Sequence, residues 1–363
     1  MTSQAPDDVV ATHAAAAGNA REPLLVLEPL RAFLREHGLG DGGELLATPL
    51  GEGHSNVTYL LRGGDGAELV LRRPPRGPLP PSAHDVVREA RLLRALAPSG
   101  ARVPRVLAIG SDASVIGAPF YVMERIAGEV VTNSVPAALD TPQERRRMCE
   151  ELVDALVEVH AVDWRAQGLE GFSRDPGGYL ARQLRRFGGL WEQLRTREIE
   201  AVEEVGAWLR EHLPQSDSPT IVHGDYRLGN TMMAATAPAR LVAIFDWEMA
   251  TIGDPLADLG YLCAMWVQHD DPPLPSLFEF GGITRRAGFL TREELVARYE
   301  QRSGRSMTDI RWYRTLALWK ATVFMEGNYR RAVSGSTDDP WLKGFGAGVV
   351  ELAERARELT RGA

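Results

Sequence analysis

Residues 221–248 hold the side chains of this sequence best suited to chemistry: His223-Gly224-Asp225, then Asn230, then Asp246 after the apolar run 241–245. An acid, an amide and a second acid at the end of a strand-like run make a compact set of oxygen ligands. Mg2+ takes hard oxygen donors and is usually held by one or two carboxylates together with substrate phosphates. The chemistry that needs such a set is phosphoryl transfer, with one acid at the acceptor hydroxyl and an amide and second acid on the metal. Asp225 is then the catalytic candidate, Asn230 and Asp246 are the metal candidates, and His223 braces the loop. A turn at residues 223–225 and a strand-end acid at 246 would explain either feature alone, but not both at this spacing. Glu248 is left open between a second metal and the backbone.

Further elements must position these groups. Strand-like runs at residues 45–50 and 57–61 flank Gly51-Glu52-Gly53-His54-Ser55-Asn56. Glycines let backbone N–H groups approach phosphates without a Cβ in the way, and Ser55 and Asn56 add side-chain donors. Alone, such a turn is commonly a plain hairpin. Residues 68–72 form a strand ending in Arg72, a proline-rich loop follows, and Ser82 can cap a helix running to Leu96 that carries Glu89. Strands are expected at 103–109 and 119–124. The character then turns helical: 142–162 is a helix with Thr141 as cap, Pro142 in the first turn and Glu144 completing a capping box, and His160 packs near its end. Further helices are expected at 24–37, 179–194, 197–213, 256–267, 292–303, 309–331 and 340–359, while 1–22 read as a mobile tail. Asp254 caps the helix that starts after Pro255. Trp312, Tyr313, Trp319 and Phe324 build core or acceptor wall.

The His-Gly-Asp motif with Asn230, an apolar strand and Asp246-Trp247-Glu248 resembles the aminoglycoside phosphotransferase family, small-molecule kinases that share the protein-kinase fold. Asp225 and Asn230 have the catalytic-loop spacing of protein kinases, with Gly224 in place of an arginine. Within that family, Leu79-Pro80-Pro81-Ser82-Ala83-His84, and residues 223–230 with Gly253-Asp254-Pro255, look closest to the kinase-like domains fused to acyl-CoA dehydrogenases. The likeness extends over residues 45–359. It implies an α+β, bilobal protein-kinase-like fold: a flexible tail at 1–22, an N-lobe at 23–126 with a small antiparallel sheet, and a mostly helical C-lobe at 127–363. It implies ATP and Mg2+ as cofactors and a small-molecule hydroxyl as acceptor, hydroxyacyl-CoA-like or otherwise lipid-derived from the branch.

The resemblance also carries residues over. Gly51, Gly53, His54, Ser55 and Asn56 would surround phosphates. Arg72 would replace the usual strand lysine and pair with Glu89, and Met123, Glu124 and Ile126 would meet the nucleotide at the hinge. Arg227 stands where kinases place a phosphate-contacting lysine, and joins Asp225 as a catalytic candidate. Asp258 is either the acid that supports the catalytic loop or an ordinary first-turn acid. The sequence departs from the pattern at Arg72 and at the third glycine of the loop, where Asn56 stands. Three rivals remain: a catalytically weak nucleotide- or acyl-CoA-binding protein of the same fold, an aminoglycoside-type antibiotic kinase, and a metal-dependent hydrolase using His223, Asp225 and Asp246. ATP and GTP are not distinguished.

Composition narrows the field. The 363 residues carry a formal net charge of -8, which argues against nucleic acid as main partner. Two cysteines, Cys149 and Cys263, make no disulfide framework, so a reducing, cytoplasmic location is expected. No apolar run has the length of a membrane span, and the N-terminus lacks the order of a signal peptide. Oligomeric state leaves no trace. Of 41 basic residues only Lys320 and Lys343 are lysine, so arginine can stand where relatives carry lysine.

Overall fold

The computed structural model describes residues 8–16, 21–51, 56–77, 84–173, 175–216, 218–272, 282–336 and 340–362. The chain divides into two compact units, Met1–Ala127 and Gly128–Ala363.

In the first unit β1 (Val9–Val10) runs parallel to β2 (Leu25–Val26), which leads into α1 (Leu27–Glu36). Then come β3 (Leu45–Leu50), β4 (Val57–Gly63), β5 (Glu68–Arg73), α2 (Val86–Leu96), β6 (Val106–Gly110) and β7 (Phe120–Glu124). These five strands form one antiparallel sheet in the order β3-β4-β5-β7-β6. Side chains alternate across a strand, so register decides what each face carries. Tyr59, Leu71 and Val122 align and are buried with Leu30 and Leu34 of α1. Leu60, Val70 and Met123 align on the other face, with Thr58, Arg72 and Tyr121 two residues along. That alternation turns Arg72 away from the Tyr59 core.

The described part of this unit adds detail to the sequence reading at three places. Where the N-terminal segment is described, it is anchored: the Asp8 carbonyl accepts from Leu24 N at 2.8 Å and Leu25 N at 3.0 Å, and its carboxylate pairs with Arg76. Pairing with β1 draws Leu25 and Val26 into a strand, so α1 starts later than the apolar stripe suggests. The cap expected at Ser82 lies outside the described residues; α2 begins at Val86, capped by Asp85, whose carboxylate accepts from Arg88 N at 2.9 Å.

The second unit contains β8 (Glu129–Val130), α3 (Pro142–His160), α4 (Tyr179–Leu194), α5 (Glu200–Glu211), β9 (Thr220–Val222), β10 (Thr231–Met233), β11 (Leu241–Ile244) and β12 (Thr251–Gly253). It continues with α6 (Leu256–Met265), α7 (Arg292–Ser303), α8 (Ile310–Val333), α9 (Pro340–Lys343) and α10 (Phe345–Arg361). Two small antiparallel sheets, β11-β10-β8 and β12-β9, frame the loops that carry the motif. α8 is the central helix and packs on α4, α5, α6, α9 and α10. Its Trp312, Leu316, Trp319 and Val323 join Phe187, Trp191, Val205, Leu209, Val349 and Leu352 in the core. The indoles Trp312 and Trp319 donate to Leu209 O and Val202 O, each at 3.0 Å, which removes the cost of burying their N–H groups.

Helix ends differ from the sequence reading for local reasons. Thr141 caps α3, accepting from Glu144 N at 3.2 Å, but the Glu144 carboxylate accepts from Ala239 N at 2.6 Å and no capping box closes there. The capping box belongs instead to Thr291 and Glu294 of α7. α5 starts late because Thr196 is held outside it, donating through N and Oγ1 to buried Glu326 at 2.7 and 2.6 Å. The helix expected at 340–359 breaks at Gly344 into α9 and α10. Cys149 and Cys263 are buried and free. Among the described residues no helix is long and apolar enough to cross a membrane.

Candidate active site

β9 delivers His223-Gly224-Asp225 into a loop fastened at several points. The backbone N–H groups of His223 and Gly224 donate to the two oxygens of Asp258, at 2.6 and 2.8 Å. Asp258 lies fully buried in the first turn of α6, and its Oδ2 also meets His160 Nε2 at 3.2 Å. Burial alone would raise this carboxyl; the hydrogen bond and charge of His160 and the Gly224 N–H hold it below its usual range. Asp258 therefore supports the loop rather than serving only as a first-turn acid. His160 connects it onward to the Tyr299 hydroxyl at 2.7 Å. Gly224 sits at φ +88°, and a Cβ there would meet Met249 O at 2.8 Å, so the kinase arginine has no room. His223 Nε2 faces Phe245 O at 2.8 Å. A carbonyl only accepts, so Nε2 carries the hydrogen and Nδ1 accepts from Asp225 N at 3.2 Å. Both ring nitrogens are committed to bracing.

Asn230 Nδ2 donates to Asp225 Oδ2 at 2.7 Å and to Asp225 O at 2.9 Å. That leaves the amide oxygen, a hard donor, for another partner. Phe245 N donates to Asn230 O at 2.8 Å, and Thr231 pairs with Ile244, which brings the strand end carrying Asp246 alongside Asn230. Asp246 has φ +64°, a left-handed conformation that costs on the order of 1–3 kcal/mol for a residue with a side chain and that clusters at functional sites. Trp247 locks it, its indole donating to Ile244 O at 3.0 Å and its ring lying 4.7 Å from that of His223. Arg227 Nε lies 3.7 Å from Asp225 Oδ1. Among the described residues no three His, Cys, Asp or Glu side chains gather as a metal cage. Asn230 and Asp246 instead suit a cation completed by phosphate oxygens.

In the first unit, Arg72 Nε reaches Glu89 Oε2 at 3.1 Å, with Glu89 buried and Arg72 nearly so. Gly51 is described; Gly53, His54 and Ser55 lie outside the described residues. Asn56 is buried and its Oδ1 faces His84 Nδ1 at 3.2 Å, an interaction with the far end of the proline loop that sequence reasoning missed. Met123 is buried in register with Val70. The Glu124 carboxylate accepts from Arg105 N at 2.9 Å, and Ile126 is partly buried just before the end of the unit.

Residues 47–312 match the phosphotransferase enzyme family. The chain belongs to that family. A Ralstonia eutropha JMP134 protein, provisionally assigned as an aminoglycoside phosphotransferase, has a crystal structure that is 31% identical with a TM-score of 0.79, covering 93% of this chain and 98% of that one. The Mus musculus acyl-CoA dehydrogenase family member 10 is 33% identical over 329 residues, 90% of this chain and 30% of that protein. The Gallus gallus acyl-CoA dehydrogenase family member 11 is 34% identical over 326 residues, 88% of this chain and 41% of that protein. The chain thus spans less than half the length of the curated relatives it matches. The expected family and the α+β kinase-like fold are both borne out.

Two side chains of this phosphotransferase that sequence reasoning did not place interact electrostatically with Asp225. The Tyr261 hydroxyl, on α6, hydrogen-bonds Asp225; burial first and then the Asp225 charge push its phenol well above its ordinary value. Its signal was its place one helical turn after Asp258. Lys320, on α8, has its ammonium 4.9 Å from the Phe187 ring centroid. Lys320 is half-buried, and desolvation holds its ammonium below the ordinary lysine range, opposed by the charges of Asp258 and Asp225. Its signal was the scarcity of lysine. Asp271, an acid that could have faced a polycationic acceptor, is already held by Arg292, with Arg355 at 3.8 Å.

Proposed function

We propose that this phosphotransferase moves the γ-phosphate of ATP to the hydroxyl of a small non-aminoglycoside acceptor, a hydroxyacyl-CoA or another lipid-derived alcohol. The observation that carries the reading is the joining of Asp225, Asn230 and Asp246: the Asn230 amide nitrogen is bonded to Asp225, while the Phe245–Asn230 backbone bond brings Asp246 alongside. Asp225 would receive the acceptor hydroxyl and take its proton as the new O–P bond forms. The bond from the γ-phosphorus to the β–γ bridging oxygen breaks, and ADP leaves with that electron pair. Asn230 and Asp246 would hold Mg2+, which neutralises charge on the phosphates. Arg227, partly exposed beside Asp225, and Arg72, oriented by Glu89, would contact phosphate oxygens.

Two observations favour this acceptor class over an aminoglycoside. Asp271 is neutralised by arginines, so it is a poor partner for ammonium groups. The two curated relatives named above carry acyl-CoA dehydrogenase names. The hydrolase alternative lacks a gathered ligand set among the described residues. The test is ADP release, with mass detection of product, on hydroxyacyl-CoAs and on kanamycin. Phosphorylated hydroxyacyl-CoA is expected. Turnover of kanamycin alone would overturn the acceptor class, and no ATP-dependent product from any hydroxyl compound would overturn the reaction.

A further inference from the structure

Tyr299 is fully buried and takes no part in the reaction described above, yet it ends a chain of contacts that leads to the catalytic loop. It stands on α7, which packs on α3 and α6. Beside it, Arg298 grips Asp154 of α3 through Nε at 2.9 Å and Nη2 at 2.8 Å, which fixes the two helices together. The Tyr299 hydroxyl meets Nδ1 of His160, the last residue of α3, at 2.7 Å, and its ring stands edge-on to the imidazole with centroids 5.7 Å apart. On the other side of the ring, Nε2 faces Asp258 Oδ2 at 3.2 Å. An ionised carboxylate only accepts, so Nε2 carries a hydrogen toward Asp258. The His160 carbonyl also accepts from Thr220 Oγ1 of β9 at 2.8 Å. His160 is therefore the junction of α3, α6, α7 and the strand that delivers the catalytic loop. Of its two ring contacts, the one to Asp258 lies at the long end of the hydrogen-bond range and the one to Tyr299 at the short end. Turning the imidazole over would put C–H groups at both partners, and the shorter bond does more to prevent it.

We propose that Tyr299 is a positioning residue for phosphoryl transfer: its hydroxyl sets the His160 imidazole, whose Nε2–H steadies Asp258 and, through Asp258, the backbone that presents Asp225. The kinetic arm of the test rests on the phosphotransfer reading above; the spectroscopic arm does not. Tyr299→Phe keeps the buried ring and removes one oxygen. Asn230 and Asp246 are held by the pairing of β10 with β11 and by the Phe245–Asn230 backbone bond rather than by Asp258, so the metal side of the site should be spared. With any acceptor that the wild type phosphorylates, Tyr299→Phe should lower kcat about tenfold and leave the ATP KM within about twofold. In a His160→Gln background the same substitution should change kcat by less than about twofold, because the residue through which it acts is gone. For the spectroscopic arm, the eight histidines of the full chain are labelled with 15N, and the His160 ring is assigned by its loss in His160→Gln. Its Nε2–H should be protected from exchange with water in the wild type and exchange at least about tenfold faster in Tyr299→Phe. An unprotected Nε2–H in the wild type, or equal protection in Tyr299→Phe, overturns the proposal whatever the rates do. An unchanged kcat in Tyr299→Phe, or kcat losses that multiply in the double variant, also overturns it, with the kinase reading intact. A wild type that phosphorylates nothing removes the kinase reading and leaves the exchange measurement to decide.

Discussion

Asp258→Asn is the sharpest probe of how the catalytic loop is held. The carboxylate accepts two backbone N–H groups and a histidine N–H while fully buried. An asparagine of the same shape keeps one oxygen, so one backbone donor is left facing an NH2 group. An orphaned buried donor costs about 1–3 kcal/mol, and exchanging a charged for a neutral acceptor removes about 1 kcal/mol more. The sum, about 2–4 kcal/mol, should lower the unfolding temperature of the second unit by roughly 4–16 °C at its size. Displacement of Asp225 by an ångström or so should lower kcat about 100-fold. The pH dependence has a definite sign. The folded Asp258 carboxyl lies below its ordinary range, so its contribution to stability is present above the unfolded value of about 4 and disappears as pH falls through the folded value. The variant should lack that acid-side loss. Thermal unfolding followed by circular dichroism between pH 3 and 8, with kcat at neutral pH, reads all three. Wild-type unfolding temperature, acid slope and kcat in Asp258→Asn would refute the support role.

Two further outcomes follow from the geometry. Arg72→Ala should raise the ATP KM and Glu89→Ala should do so more mildly; because the two side chains meet at 3.1 Å, a double-mutant cycle should show coupling of about 0.5–3 kcal/mol, and additive effects would separate them. Gly224→Ala, forced against Met249 O at a positive φ, should destabilise by more than 1 kcal/mol in chemical denaturation and reduce kcat at least tenfold; a neutral result would mean the loop is not built as described.

Much of this protein was legible in its sequence because the informative signals are local. Asp225, Asn230 and Asp246 share one short stretch between apolar runs, and α4 and α7 span the residues read for them, 179–194 and 292–303. What escaped depends on contacts between distant segments. Asp8 finds Arg76, Glu144 finds Ala239 N, and Glu326 holds Thr196; each redirects a residue whose neighbours in sequence suggest a different role. Tyr261 escaped for the same reason, since a tyrosine on a helix reads as packing until its hydroxyl is brought to Asp225. Asp258 was recognisable as a candidate, but only its two backbone hydrogen bonds separate a loop support from a helix-start acid.

The central claim is that Asp225 serves the acceptor and Asp246 serves the metal. Calorimetric titration of Mg-ATP into Asp225→Asn and Asp246→Asn, alongside turnover of the same samples, tests it most directly. Asp225→Asn should bind Mg-ATP with near wild-type affinity and lose most turnover, while Asp246→Asn should bind Mg-ATP more weakly and lose the Mg2+ dependence of that binding. Equal Mg-ATP binding by both variants, with turnover retained in both, would contradict the account.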